Sequence, residues 1–422
     1  MTIRIWRADG RLDGLRRTGG ETRDLLKAGA VSPTVELYPR SDGPGSSQDL
    51  LQFAAMGSRV WKGTADLHDP AWSWSKGALR TPGACIGSEP IRFRAVPATD
   101  EREVQYYAPD FHEEAVTATD VVPGDPRQFV NNILVEFGLQ GVRIEADPVP
   151  AVYRGTGLGG SNLAHGAALI LASSLSGADI SLAQVYVWGT ILENNFGVRL
   201  GKGGAVSFGV SMTGGQELLT ALQGGFYDNV HVPFVYGAHS VVSREIVAPK
   251  DYATLESHLV LVNLGQRRKG AETSSSVNTQ WMKAWLTSAT AARHLENIEI
   301  AYRGVEALRS LDFAAYAHVI GEYRRIRVDL CDRYTAGQEE LEGLCEKYSA
   351  EYFPVGAGSG TCLVCAAEEE SIAEIARAIR ETEDASTGRT VIPFRVRAAG
   401  ASFLGFEELG LQIPRAPEEI LD

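Results

Sequence analysis

The stretch Tyr153–Gly166 reads YRGTGLGGSNLAHG, and the rest of the chain is best understood outward from it. Gly155, Gly157, Gly159 and Gly160 surround Leu158, and Ser161 and Asn162 lead out of the run. Leu163, Ala167, Leu171 and Leu175 follow at four-residue spacing, which predicts a helix with an apolar face. Glycines let a chain turn with positive φ and bring backbone N–H groups close to a ligand. The first turn of a helix adds unpaired N–H groups and a partial positive charge. Together they predict an anion site, most often for phosphate. The run lacks the Gly-Lys-Ser/Thr ending of a Walker loop. It does contain G-x-G-x-G, so a dinucleotide fold is one alternative. That fold needs a second strand carrying an acidic residue about 20 residues on, and the matching stretch here reads as helix. A glycine turn that binds nothing is the other alternative.

Upstream, Val142–Pro148 alternates apolar and polar residues as a strand does. Downstream, Ile180–Phe196 and Gln216–Leu222 read as helices, and His258–Asn263 as a buried strand that opens a second domain. Further helices are expected at Phe313–Arg327, Glu339–Tyr348 and Glu370–Arg380, with closing strands at Val391–Val396 and Ala401–Phe406. Strands and helices mix without a strict βαβ rhythm, which predicts an α+β fold. The first 45 residues are rich in Gly and Arg with little periodicity and read as an N-terminal extension, and Ser41–Gln48 reads as a loop. The domains are therefore expected at 46–250 and 251–422.

The 422 residues suit two domains, and their formal net charge of −13 argues against general nucleic-acid binding. No run approaches the ~18–20 apolar residues that span a bilayer. Met1–Gly10 carries Arg4, Arg7 and Asp9 and lacks a signal-peptide core, so a cytoplasmic protein with no membrane partner is expected. Cys362 and Cys365 have CxxC spacing but lie in an apolar run, Thr361–Ala367. No second CxxC accompanies them, so they read as core residues of a strand rather than zinc ligands.

The glycine segment resembles the phosphate loop of the GHMP kinases, the superfamily of galactokinase, homoserine kinase, mevalonate kinase and phosphomevalonate kinase. Their pattern is roughly Pro-x-x-x-Gly-Leu-Gly-Ser-Ser-Ala. Two further motifs agree in order. Gly215-Gln216-Glu217 followed by Gly224-Gly225 is similar to the Gly-x-Gln-Asp-Gln…Gly-Gly stretch of the branch containing L-fucokinase and the heptose phosphate kinases. Val355–Gly360 (VGAGSG) resembles the late glycine-rich motif, and Leu264–Arg268 (LGQRR) the Thr-Gly-x-x-Arg element. The resemblance implies a two-domain fold with the active site in the cleft between the domains, 46–250 binding ATP.

It also implies roles. Gly155, Gly157, Leu158, Gly159, Gly160, Ser161 and Asn162 would wrap the phosphates, supported by Gly356, Gly358, Ser359 and Gly360. Ser161 and Glu193 would hold Mg²⁺. Glu217 stands where the family has its catalytic aspartate, and Arg268 would stabilise transferred charge. Asp66, Trp72, Gly224 and Gly225 would border the acceptor. Gly160 and Asn162 depart from the loop pattern, and near Asp66–Trp74 the first family motif has lost its glycines. Residues Arg199–Met212 look like an insertion beside the site. The implied function is ATP-dependent phosphorylation of a sugar hydroxyl, with the anomeric hydroxyl as leading candidate. The alternatives are a non-sugar acceptor, ATP activation of a leaving group, and a nucleotide-binding regulator without catalysis. The partner is a small sugar or sugar-like alcohol, with a homodimer left open.

Overall fold

A computed structural model describes residues 2–8, 19–43, 79–80, 82–87, 89–109, 116–117, 130, 133–135, 137–149, 153, 160–200, 206–208, 216–235, 238–265, 288–331, 338–355, 360–384 and 388–421. Among them, three larger sheets and one small hairpin alternate with helices, the α+β arrangement expected. The first sheet runs Glu418–Leu421, Thr2–Ala8, Ala238–Glu245, Phe226–Val235, Gly83–Cys85, Arg40–Asp42, with Leu79–Arg80 also paired to Phe226–Val235. The second runs Ser402–Leu404, Thr34–Leu37, Ile91–Pro97, Val142–Ala146, Val104–Tyr107, Val116–Thr117. The third runs Ala350–Pro354, Thr361–Ala366, Leu259–Asn263, Thr390–Pro393 and is antiparallel throughout.

Two expectations are corrected here. Residues 1–45 are not an appendage, because Thr2–Ala8, Thr34–Leu37 and Arg40–Asp42 are strands of the first two sheets. The expected loop at Ser41–Gln48 begins within a buried strand. Likewise the closing strand expected at Ala401–Phe406 is Ser402–Leu404 and pairs with Thr34–Leu37, while Glu418–Leu421, where no strand was expected, pairs with Thr2–Ala8. Both chain ends thus stitch the first half together, through partners that local periodicity cannot register.

Alternation explains the central C-terminal strand. Leu259 and Leu261 face a core that includes Phe353, Ile392 and Phe394, while Val260 and Val262 face another, under the helices Gln338–Lys347 and Glu369–Arg380. A strand buried on both faces reads as a continuous apolar run. Cys362 and Cys365, three residues apart on the neighbouring strand, fall into opposite cores. Odd spacing along a strand places side chains on opposite faces, so the CxxC pair cannot converge on a metal. The first of these cores also takes Ala84, Ile86, Tyr153 and Phe226, so the two halves of the chain share apolar packing.

Among the described residues no helix is long and apolar enough to cross a membrane.

Candidate functional site

The helix predicted after the glycine run is Gly160–Ser176. Leu163, Ala167, Leu171 and Leu175 are 0% exposed, and every side chain from Asn162 to Ser176 is buried. From Asn162 onward the helix is therefore packed on all sides. Just upstream, Tyr153 is buried with its hydroxyl against Gly87, so that a methyl group at residue 87 would overlap it. Both sides of the glycine run are thereby anchored. Gly155, Gly157, Leu158 and Gly159 themselves lie outside the described residues.

Two more helices, Leu182–Gly197 and Gln216–Gln223, pack on this one. Leu218 is their common centre. It is fully buried, and a Cβ added at Gly166 or at Gly189 would strike its side chain. The two glycines form a notch that seats Leu218, bringing three helices closer than larger residues allow. The backbone N–H of Leu218 donates a 2.8 Å hydrogen bond to Asn162 Oδ1. Asn162 lies in the first turn of Gly160–Ser176 and Leu218 in the first turn of Gln216–Gln223. The N-termini of both helices therefore meet, and their partial positive charges add in one place. Glu217, half-buried, is the residue before Leu218 and sits at this junction.

A second charged group, which the sequence reading missed, lies close by. Arg40 is 2% exposed, pairs with Asp42 at 2.8 Å and donates to the Pro82 carbonyl at 3.2 Å. Its guanidinium lies flat on Gly83, where a Cβ would come within 2.5 Å of Nε. Arg40 Nε and Nη1 are buried without a hydrogen-bond partner among the described residues. The strand Arg40–Asp42 touches the helix that carries Glu217. Tyr186, 1% exposed on Leu182–Gly197, feels both groups. Burial pushes its hydroxyl well above the ordinary phenol range, Arg40 pulls it down, and Glu217 pushes it up. Glu217, Arg40, Asp42 and Tyr186 form a partly dry charged cluster at the helix junction. The signal in the sequence was the spacing of Arg40 and Asp42, which places both on one face of a strand.

Neither protein-family profiles nor curated protein sequences match the chain. Solved structures do. A D-glycero-D-manno-heptose 1-phosphate kinase from Bacteriodes thetaiotaomicron is similar over 88% of this chain and 98% of that one, at 15% identity and a TM-score of 0.54. Lactococcus lactis galactokinase, complexed with galactose, is similar over 91% and 98%, at 10% identity and 0.56. Methanococcus jannaschii mevalonate kinase is similar over 87% and 99%, at 12% identity and 0.55. The chain has the GHMP kinase fold.

Within this GHMP kinase fold the expected site residues divide. Gly160, Ser161 and Asn162 open the first helix, and Glu193 lies one helical turn beyond Gly189 on the second. The side chains of Ser161 and Glu193 lie outside the described residues. The two late elements are brought together, since Leu264 N–H donates to the Gly360 carbonyl at 2.8 Å and Gly360 has φ +121°. Gly356, Gly358, Ser359, Arg268, Asp66 and Trp72 lie outside the described residues. Asn162 has its side-chain oxygen engaged with the Leu218 N–H. Gly224 and Gly225, expected at the acceptor, lie in a tightly packed turn. Both have φ +69°, and a Cβ at Gly224 would lie 2.5 Å from Ala399 C. Here the segment Arg397–Gly400 crosses the turn, with Gly225 N–H bonded to the Arg397 carbonyl at 2.5 Å. In the expected insertion, Val198–Leu200 and Val206–Phe208 form an antiparallel hairpin directly after the Glu193 helix.

The two helix N-termini fit a polyphosphate, which needs N–H donors, whereas the buried Arg40 has its charge met by Asp42. Among the described residues no three His, Cys, Asp or Glu side chains gather as a metal cage. The expected Mg²⁺ donors are one hydroxyl and one carboxylate. Such a partial set suits Mg²⁺, which keeps water and phosphate oxygens in its remaining positions.

Proposed function

We propose that the protein is an ATP-dependent small-molecule kinase that phosphorylates a hydroxyl of a sugar or sugar-like alcohol, the anomeric one first among candidates. The observation that carries this reading is the junction of two helix N-termini at Asn162 and Leu218, with Glu217 at its edge. The fold and the order of the glycine motifs support it. Residues 46–250, with strands lent by the first 45 residues, would form the nucleotide-binding half, and 251–422 the second. The buried free thiols of Cys85, Cys345, Cys362 and Cys365 support a reducing, cytoplasmic setting.

Phosphoryl transfer is mostly positioning and charge stabilisation. Gly157–Ser161 would hold the phosphates at the first helix, and Ser161 with Glu193 would hold Mg²⁺, which when bound neutralises phosphate charge. Glu217 would accept the proton of the attacking hydroxyl or aim its lone pair, worth typically ~10²–10⁴-fold. Arg268 would stabilise charge on the transferred group.

The test is a screen of free sugars and small alcohols for acceptor-dependent ADP release with Mg²⁺. Gly159→Val, which fills the phosphate space, serves as control and should abolish the melting shift that MgATP produces. ATP binding without turnover on any acceptor would leave a nucleotide-binding regulator.

A further inference from the structure

We propose that Asn162 is a positioning residue for Glu217, an inference that rests on the kinase reading above. Leu218 is the third residue of Gln216–Gln223, the position whose N–H an N-cap side chain ordinarily satisfies. The residue before this helix is Gly215, which has no side chain to offer. The cap comes instead from Asn162, 56 residues away in sequence, on the helix that opens the glycine loop. The bond is fully enclosed, Asn162 being 2% exposed and Leu218 0%.

The consequence is mechanical. The first turn of a helix with unsatisfied N–H groups frays, and Glu217 lies inside this first turn. The notch of Gly166 and Gly189 seats the Leu218 side chain and keeps the helix on its neighbours. It does not fix the backbone of the first turn, which the Asn162 bond does. One amide side chain thus ties the carboxylate to the loop where phosphate is expected. An alanine, the residue this place has in the loop pattern that the chain resembles, could not make the bond. A carboxylate displaced by even 1 Å from a reacting hydroxyl loses on the order of 10²-fold in rate.

Two variants separate this role from general packing. Asn162→Ala removes the acceptor oxygen, and Asn162→Asp keeps it while adding charge. Amide hydrogen exchange of residues 216–219 is followed by mass spectrometry in each, with and without MgADP. In Asn162→Ala this segment should exchange at least tenfold faster, and faster relative to the rest of the chain than the loss of global stability from one buried hydrogen bond accounts for. In Asn162→Asp it should exchange as in the wild type. With whichever free sugar supports ADP release in the screen, Asn162→Ala should lose about tenfold or more in kcat with KM for MgATP nearly unchanged. Asn162→Asp should restore part of the kcat lost in Asn162→Ala and raise KM for MgATP, because it keeps the acceptor oxygen but adds a charge at the helix that would hold the phosphates. Wild-type exchange or wild-type kcat in Asn162→Ala overturns the inference. So does a kcat in Asn162→Asp as low as in Asn162→Ala while the segment stays protected. A wild-type protein that releases no ADP with any acceptor overturns the kinase reading instead, a result distinguishable from these because it appears before any substitution.

Discussion

Arg40 and Asp42 form a 2.8 Å ion pair whose side chains are only 1% and 9% exposed. Removing one partner of a buried pair strands the other charge, at about 3–5 kcal/mol, whereas replacing both with apolar residues is often neutral. Arg40→Met should therefore lower the urea midpoint sharply, and Arg40→Met/Asp42→Leu should recover most of the loss. A double variant as unstable as the single one would mean that Arg40 stabilises by its other contacts.

The seat of Leu218 gives a second test. Gly166→Ala places a methyl group against Leu218, and overpacking of this kind destabilises by about 1–3 kcal/mol. Leu218→Ala alone leaves a cavity at a fully buried site, at roughly 2–5 kcal/mol. In combination the new methyl group occupies part of that cavity, so the two effects should fall short of their sum by about 0.5 kcal/mol or more. Strict additivity in denaturant unfolding would show that the two residues do not share one space.

These contacts mark where the sequence is legible and where it is not. The apolar repeat Leu163, Ala167, Leu171, Leu175 gave the helix after the glycine loop, because burial of one face leaves a period in the sequence. The same repeat understated the burial of that helix, since Ser173 and Ser176 are buried as well and point away from that face. The i, i+2 spacing of Arg40 and Asp42 is a faint strand signal, and a buried ion pair resembles a solvated one in sequence. Thr2–Ala8 was invisible because its neighbours lie more than 200 residues away, at Ala238–Glu245 and Glu418–Leu421. For the site, the motifs led to Glu217 and to the helix start at Gly160. The partnership of Asn162 with Leu218 needed three dimensions.

Gly224 offers a contrast with Gly410. Both have positive φ, +69° and +60°, but nothing lies within 4 Å of a Cβ at Gly410, whereas at Gly224 the backbone of Ala399 and Gly400 is 2.5 Å away. A left-handed non-glycine residue is disfavoured by roughly 1–2 kcal/mol. Gly410→Ala should show that penalty alone, and Gly224→Ala clearly more by thermal unfolding. Equal effects at the two positions would free Gly224 for the acceptor role that the packing argues against.

Buried thiols predict alkaline behaviour. Burial pushes the Cys85 thiol up to about 12, with Arg397 pulling it down slightly, and burial also raises Cys345 and Cys365. In the unfolded chain thiols ionise near ~8.5. Above that pH the unfolded state releases protons that the folded state keeps, so stability falls as pH rises, by up to about 1.4 kcal/mol per unit for each thiol. Stability from this source is complete below pH ~8.5 and is lost on the way to about 12. Unfolding free energy measured between pH 8 and 11 should therefore decline, and Cys85→Ala should make the decline shallower. An unchanged slope in that variant would mean that Cys85 ionises in the folded protein.

The final prediction concerns Glu217. Its place at the helix junction, near Tyr186, gives a carboxylate two uses: taking the proton of the acceptor hydroxyl, or holding that hydroxyl in line with the phosphate. Glu217→Gln keeps size and most hydrogen bonding but removes basicity. It should lower kcat by about 10²-fold or more and leave MgATP binding nearly unchanged, because the interaction lost is one made in the transition state. Glu217→Asp shortens the side chain by one methylene. The Asn162 bond and the Leu218 seat hold this helix fixed, so the backbone cannot advance to close the gap, and activity should fall here too. Acceptor-dependent ADP release, measured with isothermal titration of MgATP on the same samples, separates chemistry from binding. Wild-type turnover in Glu217→Gln would assign proton removal to another group, and full activity in Glu217→Asp would mean that the site tolerates the shorter reach despite its fixed backbone.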